Sequence, residues 1–287
     1  VWVSAPTWAN HKGVFGAAGF KTADYAYYDP ATKGLDFARL QEALEQVPAG
    51  DVVLLHACCH NPTGVDLTPA QWTTVAEIAS RRGWLPFLDF AYQGYGDGLE
   101  QDRAGVLALA AVCPEFLVAS SFSKNFGLYQ DRTGALTVVA GSASVAEAAF
   151  SNVEIAIRVN YSNPPAHGGL IVTRILSDAA LRRQWMGELT AMREHIAAAA
   201  HQVRGRPGPA RRGGRLLLYP APEGHVLLQR PERCAGQVPP RAEEHLHCGR
   251  RPHQRGRHHV EEHGVPVPLH PRSAGRGLDV CLPSRIR

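Results

Sequence analysis

Ser120-Ser-Phe-Ser-Lys-Asn-Phe-Gly-Leu-Tyr-Gln-Asp-Arg-Thr-Gly134 sets one lysine among small hydroxyls, with an arginine eight positions beyond it. A deprotonated Lys124 amine is a nucleophile toward an aldehyde, and Ser121, Ser123 and Arg132 offer hydroxyl and guanidinium donors to a phosphate dianion. Upstream, Pro114-Glu-Phe-Leu-Val-Ala119 is apolar and β-prone, which predicts a buried strand with Lys124 in the loop that leaves it. Loops at the carboxyl ends of parallel strands are where α/β enzymes hold their ligands. A solvated lysine on a surface turn is the competing reading of the same stretch.

Three segments outside this loop bear on that choice. Pro86-Phe-Leu-Asp-Phe-Ala-Tyr-Gln-Gly-Tyr95 reads as an apolar strand ending at Asp89, with Tyr92 three residues later. A carboxylate there can keep a pyridine nitrogen protonated, which pyridoxal phosphate requires to act as an electron sink. A helix N-cap or turn aspartate is the alternative for Asp89. His60-Asn-Pro-Thr-Gly64 follows the strand Asp51-Val-Val-Leu-Leu55, and its turn can aim the Asn61 amide at a ligand, although alone it signals only a turn. Ser4-Ala-Pro-Thr-Trp-Ala-Asn-His11 supplies an aromatic face at Trp8 and an imidazole at His11.

In this order and spacing the segments resemble the class I (aspartate and aromatic amino-acid) aminotransferases of the fold-type-I pyridoxal-phosphate family, from about residue 1 to about residue 200. The resemblance implies that Lys124 carries the cofactor as a Schiff base and shuttles the proton, with Asp89 and Tyr92 as its catalytic partners. Asp89 would pair with the pyridine nitrogen and be oriented by His11. Asn61 and Tyr92 would contact the ring hydroxyl, Trp8 would stack on the ring, and Ser121, Ser123 and Arg132 would form part of the phosphate cup. Trp8 and Asn61 would also line the substrate side. Arg158, in Arg158-Val-Asn-Tyr-Ser-Asn-Pro-Pro-Ala-His-Gly168, resembles the arginine that reaches a dicarboxylate's distal carboxyl from the neighbouring subunit of a homodimer; an ordinary surface arginine is its alternative. His56 and His60 are read as packing or supporting groups, and the adjacent Cys58 and Cys59 as core thiols without metal-site spacing. No metal is expected.

Two departures from the family pattern stand out. Val1 is not an initiator, and the resemblance begins within the large domain. The expectation is therefore a partial sequence lacking the amino-terminal arm, the first part of the small domain, the phosphate-binding loop of small residues and a tyrosine given to the partner's site. The second is a change of composition near residue 200. Residues 1–200 carry 14 Lys plus Arg against 19 Asp plus Glu, a net of −5, whereas residues 201–287 carry 16 against 7, a net of +9. The tail holds 12 of the 21 prolines and 9 of the 14 histidines, with no Lys, Phe, Trp, Met, Asn or Thr, a composition that is not expected to build a core. It could act as a basic nucleic-acid arm. A frameshift near residues 200–204 explains more: read one base later, the codons of 223–232 and of 247–256 permit peptides resembling the family's carboxyl-terminal domain, including the arginine that binds the substrate α-carboxylate.

The fold class expected is α/β, a mostly parallel sheet covered by helices forming one large domain over 1–200, with the small domain truncated in front and garbled over 201–287. Helical stretches are predicted at 69–82, 143–151 and 177–200, the first opening on a Thr68 cap with Pro69 and Gln71 behind it. No apolar run approaches the roughly 20 residues of a membrane span. The six cysteines form no disulfide pattern, which fits a reducing, cytoplasmic setting. The overall pI of about 8.8 comes from the tail and is not read as a nucleic-acid signal. The function read from this is pyridoxal-phosphate-dependent transamination between an acidic or aromatic L-amino acid and a 2-oxo acid. The alternatives are another fold-type-I reaction, such as a lyase or decarboxylase, and a catalytically inactive remnant.

Overall fold

The computed structural model describes residues 1–205, 218–220 and 226–228. In chain order the first elements are β1 (Trp2–Ala5), α1 (Asn10–Ala17), β2 (Ala23–Ala26), a two-residue pair β3 (Tyr28–Asp29) and β4 (Gly34–Leu35), and α2 (Phe37–Glu45). They continue with β5 (Val52–His56), α3 (Pro69–Arg82), β6 (Leu85–Phe90), α4 (Ala104–Val112), β7 (Phe116–Ser121) and β8 (Gly134–Val139). Three helices follow: α5 (Ala143–Tyr161), α6 (Ala166–Ser177) and α7 (Ala179–Gly205). The main sheet runs β2-β1-β5-β6-β7-β8, with every pairing parallel except β7 with β8.

The strand order reverses between β1 and β5: from β1 the chain steps outward to β2 by way of α1, then returns to β5 on the other side of β1. Loops part at such a point and leave a crevice outside the carboxyl ends of the strands. In-register pairing sets His56 beside Asp89 and Asp89 beside Ala119, so three neighbouring strands end at one level. The Lys124 loop joins β7 to the antiparallel β8. Its exit is tight at Gly134, where a Cβ would lie 2.6 Å from the Ser120 carbonyl oxygen.

Local chemistry accounts for the helix limits. Residues 69–82 form α3 as expected, with a complete capping box: Gln71 N–H donates to Thr68 Oγ1 at 3.3 Å and Thr68 N–H donates to Gln71 Oε1 at 2.9 Å. Trp72, Val75, Ala76, Ile78 and Ala79 face the core at helical spacing, and Gly105 on α4 leaves room for the Trp72 ring, 2.8 Å from where a Cβ would stand. The helix predicted at 143–151 instead runs to Tyr161, because no glycine or proline interrupts it before Ser162. The helix predicted at 177–200 is α7, which opens two residues later, where Asp178 Oδ1 accepts from the Ala180 and Leu181 N–H groups; α6, ending at Ser177, was not predicted. The Arg/Pro/His-rich tail, and with it the frameshift reading, lies outside the described residues. The exceptions are Leu218–Pro220 and Val226–Leu228, two short antiparallel strands in a stretch expected to be poorly ordered.

Candidate functional site

The carboxyl ends of β1, β5, β6 and β7 each deliver part of one group of side chains. Asp89 stands at the end of β6 rather than at a helix cap or turn, and His11 Nε2, from α1, is 2.9 Å from its Oδ2. Thr7 Oγ1 lies 2.7 Å from His11 Nδ1 and fixes the ring's orientation from the other side. The Trp8 ring stands edge-on to His11 with centroids 5.2 Å apart and is 42% exposed, an unusually open position for an indole. The Asn61 side chain lies close enough to the Tyr92 hydroxyl to favour its ionised form, against the larger effect of burial. Lys124 Nζ sits over the Tyr92 ring, 4.8 Å from its centroid.

The backbone around these groups is held by residues the sequence reading passed over. Asp66 accepts from the Cys59 and His60 N–H groups at 2.6 and 2.7 Å, shaping the turn that carries Asn61. Asp102, buried, accepts four backbone N–H groups, from Gly94 (2.7 Å), Gly96 (3.0 Å), Asp97 (2.8 Å) and Gly98 (3.2 Å), and so folds the loop after Tyr92. Tyr95 Oη donates to the Lys124 carbonyl at 3.1 Å, and Trp185 Nε1 of α7 donates to the Asn125 carbonyl at 2.8 Å. A hint of the Asp102 arrangement is present in the alternating Gly94, Gly96 and Gly98, since a Cβ at Gly96 would fall 2.5 Å from Asp102 Oδ1.

Not every expected residue joins the group. Ser121 and Ser123 share the Lys124 loop, with Ser123 N–H donating to Ser121 Oγ at 3.2 Å and Ser123 itself buried. Arg132, exposed at the far end of the loop with φ +53°, donates to the Tyr129 carbonyl at 3.1 Å. Arg158 is exposed on α5 and donates to Ser162 Oγ at 3.1 Å, apart from the contacts that link Asp89, His11, Tyr92 and Lys124. A cavity of about 370 Å³ on the α7 side of the loop is lined by Lys124, Phe126, Trp185 and Met192 among others, but by neither Asp89 nor Tyr92.

The electrostatics favour an anionic Asp89 and neutral His56 and His60. Burial pushes the Asp89 carboxyl up, but the His11 hydrogen bond and the influence of His56, His11 and Lys124 bring it below the ordinary carboxylate range. Burial raises the Tyr92 hydroxyl, with Cys59, Tyr129 and Asp89 adding to the rise. His56 is held well below the usual histidine value by burial and by neighbouring His60. Burial brings His60 from 6.5 down to about 3, and its ring stacks on Tyr27 and bonds to Ser4 and Thr63. The unfolded chain therefore takes up the His60 proton near pH 6.5 and the folded chain only near pH 3. The stability of the neutral form is full above the first value and lost as the pH falls toward the second. Urea unfolding should show His60 contributing a loss of roughly 2 kcal/mol between pH 6.5 and about 5, at about 1.4 kcal/mol per pH unit. His60→Gln should flatten the profile by that amount; an unchanged slope would refute the assignment.

The aminotransferase class I and II family pattern matches residues 1–206. An aspartate aminotransferase of Salmonella typhi is 57% identical over 196 residues, 68% of this chain and 50% of that protein. An aromatic-amino-acid aminotransferase of Escherichia coli (strain K12) is 45% identical over 203 residues, 71% of this chain and 51% of that one. Among solved structures, an aromatic-amino-acid aminotransferase from Burkholderia pseudomallei covalently bound to pyridoxal phosphate aligns with a TM-score of 0.70 at 44% identity, covering 72% of this chain and 54% of that one. The chain spans about half the length of the curated relatives it matches.

Proposed function

Because the chain belongs to the aminotransferase class I and II family, we propose that it transfers amino groups between an acidic or aromatic L-amino acid and a 2-oxo acid with pyridoxal phosphate as cofactor. The observation that carries this reading is the meeting of Asp89, braced by His11 at 2.9 Å, with Lys124 over the Tyr92 ring at the mouth of one parallel sheet. The donor set suits the group. Asp89 gives Oδ2 to His11 and keeps 21% of its side chain exposed, which leaves carboxylate surface for a protonated ring nitrogen. Trp8 offers an open face for stacking, Asn61 and Tyr92 are the donors for a ring hydroxyl, and Ser121, Ser123 and Arg132 are donors for a phosphate.

When bound, the cofactor supplies an aldehyde carbon and an electron-withdrawing ring. The chain's own residues supply the rest. Asp89 keeps the ring nitrogen protonated, and His11 and Thr7 keep Asp89 oriented. Lys124 Nζ would hold the cofactor and would take up the proton released by the substrate α-carbon. Tyr92 and Asn61 position the ring edge, and Trp8 with Asn61 lines the substrate side. Arg158 serves a distal carboxylate in a homodimer. Its helix, α5, has no buried residue, and Ile155 and Val159 are 60% and 83% exposed, an apolar face that fits burial against a second copy.

In this reading residues 1–200 are the cofactor-binding large domain and 201–287 a frameshifted tail, and the protein acts in the cytoplasm without membrane or specific nucleic-acid partners. Cys58, Cys59 and Cys113 remain as thiols, and among the described residues no helix is long and apolar enough to cross a membrane. The test is a visible-absorption titration of the purified chain with pyridoxal phosphate, followed by borohydride reduction and peptide mass mapping. A saturable band with label confined to Lys124 supports the proposal. Label spread over several lysines, or no band, overturns it for this chain.

A further inference from the structure

His56 lies beside the cofactor group, yet the proposed reaction gives it nothing to do. It is buried, with only 9% of its surface exposed, and neither ring nitrogen has a hydrogen-bond partner. Buried polar nitrogens normally find one. Its ring lies 5.1 Å from that of His11, and it is paired across the sheet with Asp89. One ligand atom each from His11, His56 and Asp89 falls within 4.8 Å of the others. The edge of a zinc tetrahedron is about 3.4 Å for bonds of about 2.05 Å, so the three side chains need to close by little more than an ångström.

We propose that His11, His56 and Asp89 form a binding site for a zinc-like divalent ion in the cofactor-free chain, with water as fourth ligand. We further infer that the ion and the cofactor's pyridine nitrogen exclude one another there, a clause that rests on the function proposed above. Two imidazoles and a carboxylate are the donor set of open, three-ligand zinc sites, and their borderline softness favours zinc or cobalt over magnesium or calcium. His11 needs only its other tautomer. Nε2 releases the proton it shares with Asp89, and Nδ1–H turns to Thr7 Oγ1, a hydroxyl that accepts as well as donates. Asp89 Oδ2, freed from that hydrogen bond, becomes the anionic ligand. Asp89 is the group that the ion and the ring nitrogen would both engage, and 21% of its side chain is exposed.

The experiment uses the full chain without a histidine tag, stripped by chelator and titrated with Co²⁺ by visible absorption and with Zn²⁺ by calorimetry. Bands of four-coordinate intensity are expected at one equivalent of Co²⁺. His56→Ala and Asp89→Ala should each weaken binding by roughly a hundredfold. What uptake remains would belong to the histidine-rich tail. Unchanged bands and affinity in both variants, or only the weak absorption of six-coordinate cobalt in the parent chain, overturn the site. Should His56→Ala fail to fold by circular dichroism, His56→Gln carries the same expectation. Pyridoxal phosphate added to the cobalt-loaded chain should discharge the ion as its own band grows, and persistence of both bands refutes exclusion. His56-dependent cobalt bands without any cofactor band would uphold the ion site and refute the transaminase reading; a cofactor band without cobalt bands would do the reverse.

Discussion

A Lys124→Ala chain, loaded with pyridoxal phosphate and mixed with aspartate or tyrosine, should release 2-oxo acid in a single turnover roughly 10⁴-fold more slowly than the parent chain. That is the upper range for a positioned proton-transfer group, and it applies because the same side chain also tethers the cofactor. Lys124→Arg should be equally slow. A guanidinium keeps the charge but does not deprotonate, so it serves neither as nucleophile nor as base. The pair of variants thus separates amine chemistry from simple charge. Neither should disturb the fold, since the loop is fixed by other contacts. Tyr95 Oη bonds the Lys124 carbonyl, Trp185 Nε1 bonds the Asn125 carbonyl, and Asn125 Nδ2 donates to the Gln93 carbonyl at 3.2 Å. A Lys124→Arg chain turning over within tenfold of the parent rate would remove Lys124 from the mechanism.

The largest effect on stability is expected at Asp102, far in sequence from the lysine loop. Its carboxylate is the shared acceptor for the N–H groups of Gly94, Gly96, Asp97 and Gly98, and Gly94 and Gly98 are themselves buried. Asp102→Ala leaves the buried pair without a partner and opens a void. A loss of roughly 3–5 kcal/mol follows from hydrogen bonds to a charged group at about 1.5–3 kcal/mol each. Asp102→Asn keeps one oxygen in place and should lose roughly half as much. Urea unfolding reads both as shifts of the midpoint at constant slope. Because the same loop carries Tyr95 and follows Tyr92, Asp102→Asn should also weaken cofactor binding while leaving the chain folded. A midpoint for Asp102→Ala within experimental error of the parent would show that water replaces the carboxylate without penalty.

These two residues mark how far the sequence could be read. The place of Lys124 in the loop leaving β7 was legible because an apolar strand stands in front of it. Asp89 and Asn61 were legible for the same reason, each following a β-prone run. The start of α3 could be placed to the residue because Thr68, Pro69 and Gln71 carry the cap within four positions. Asp102 was not legible beyond the hint of Gly94, Gly96 and Gly98, because its partners are backbone N–H groups, which every residue but proline possesses. Thr7 was missed because its importance depends on a His11 ring whose other nitrogen is engaged 78 residues away. α6 was missed because its start at Pro165 carries no side-chain cap, and the Asn163-Pro-Pro-Ala-His-Gly-Gly169 stretch ahead of its apolar residues reads as a turn.

The reversal of strand order around β1 governs how the chain assembles as well as where it binds. β1 precedes the other described strands in sequence, yet it is an interior strand, with β2 on one side and β5 on the other. The crevice closes only after β5, β6 and β7 have formed and joined it, so contacts between Thr7–His11 and Asp89–Lys124 span much of the described chain. Such non-local pairings come late and slowly in folding. A molecule held there recognises only chains that have finished folding, and by mass action it draws unfinished ones forward. Cofactor supply would then act on this chain as a maturation signal, setting how much of the polypeptide survives as folded protein before it sets any rate of turnover.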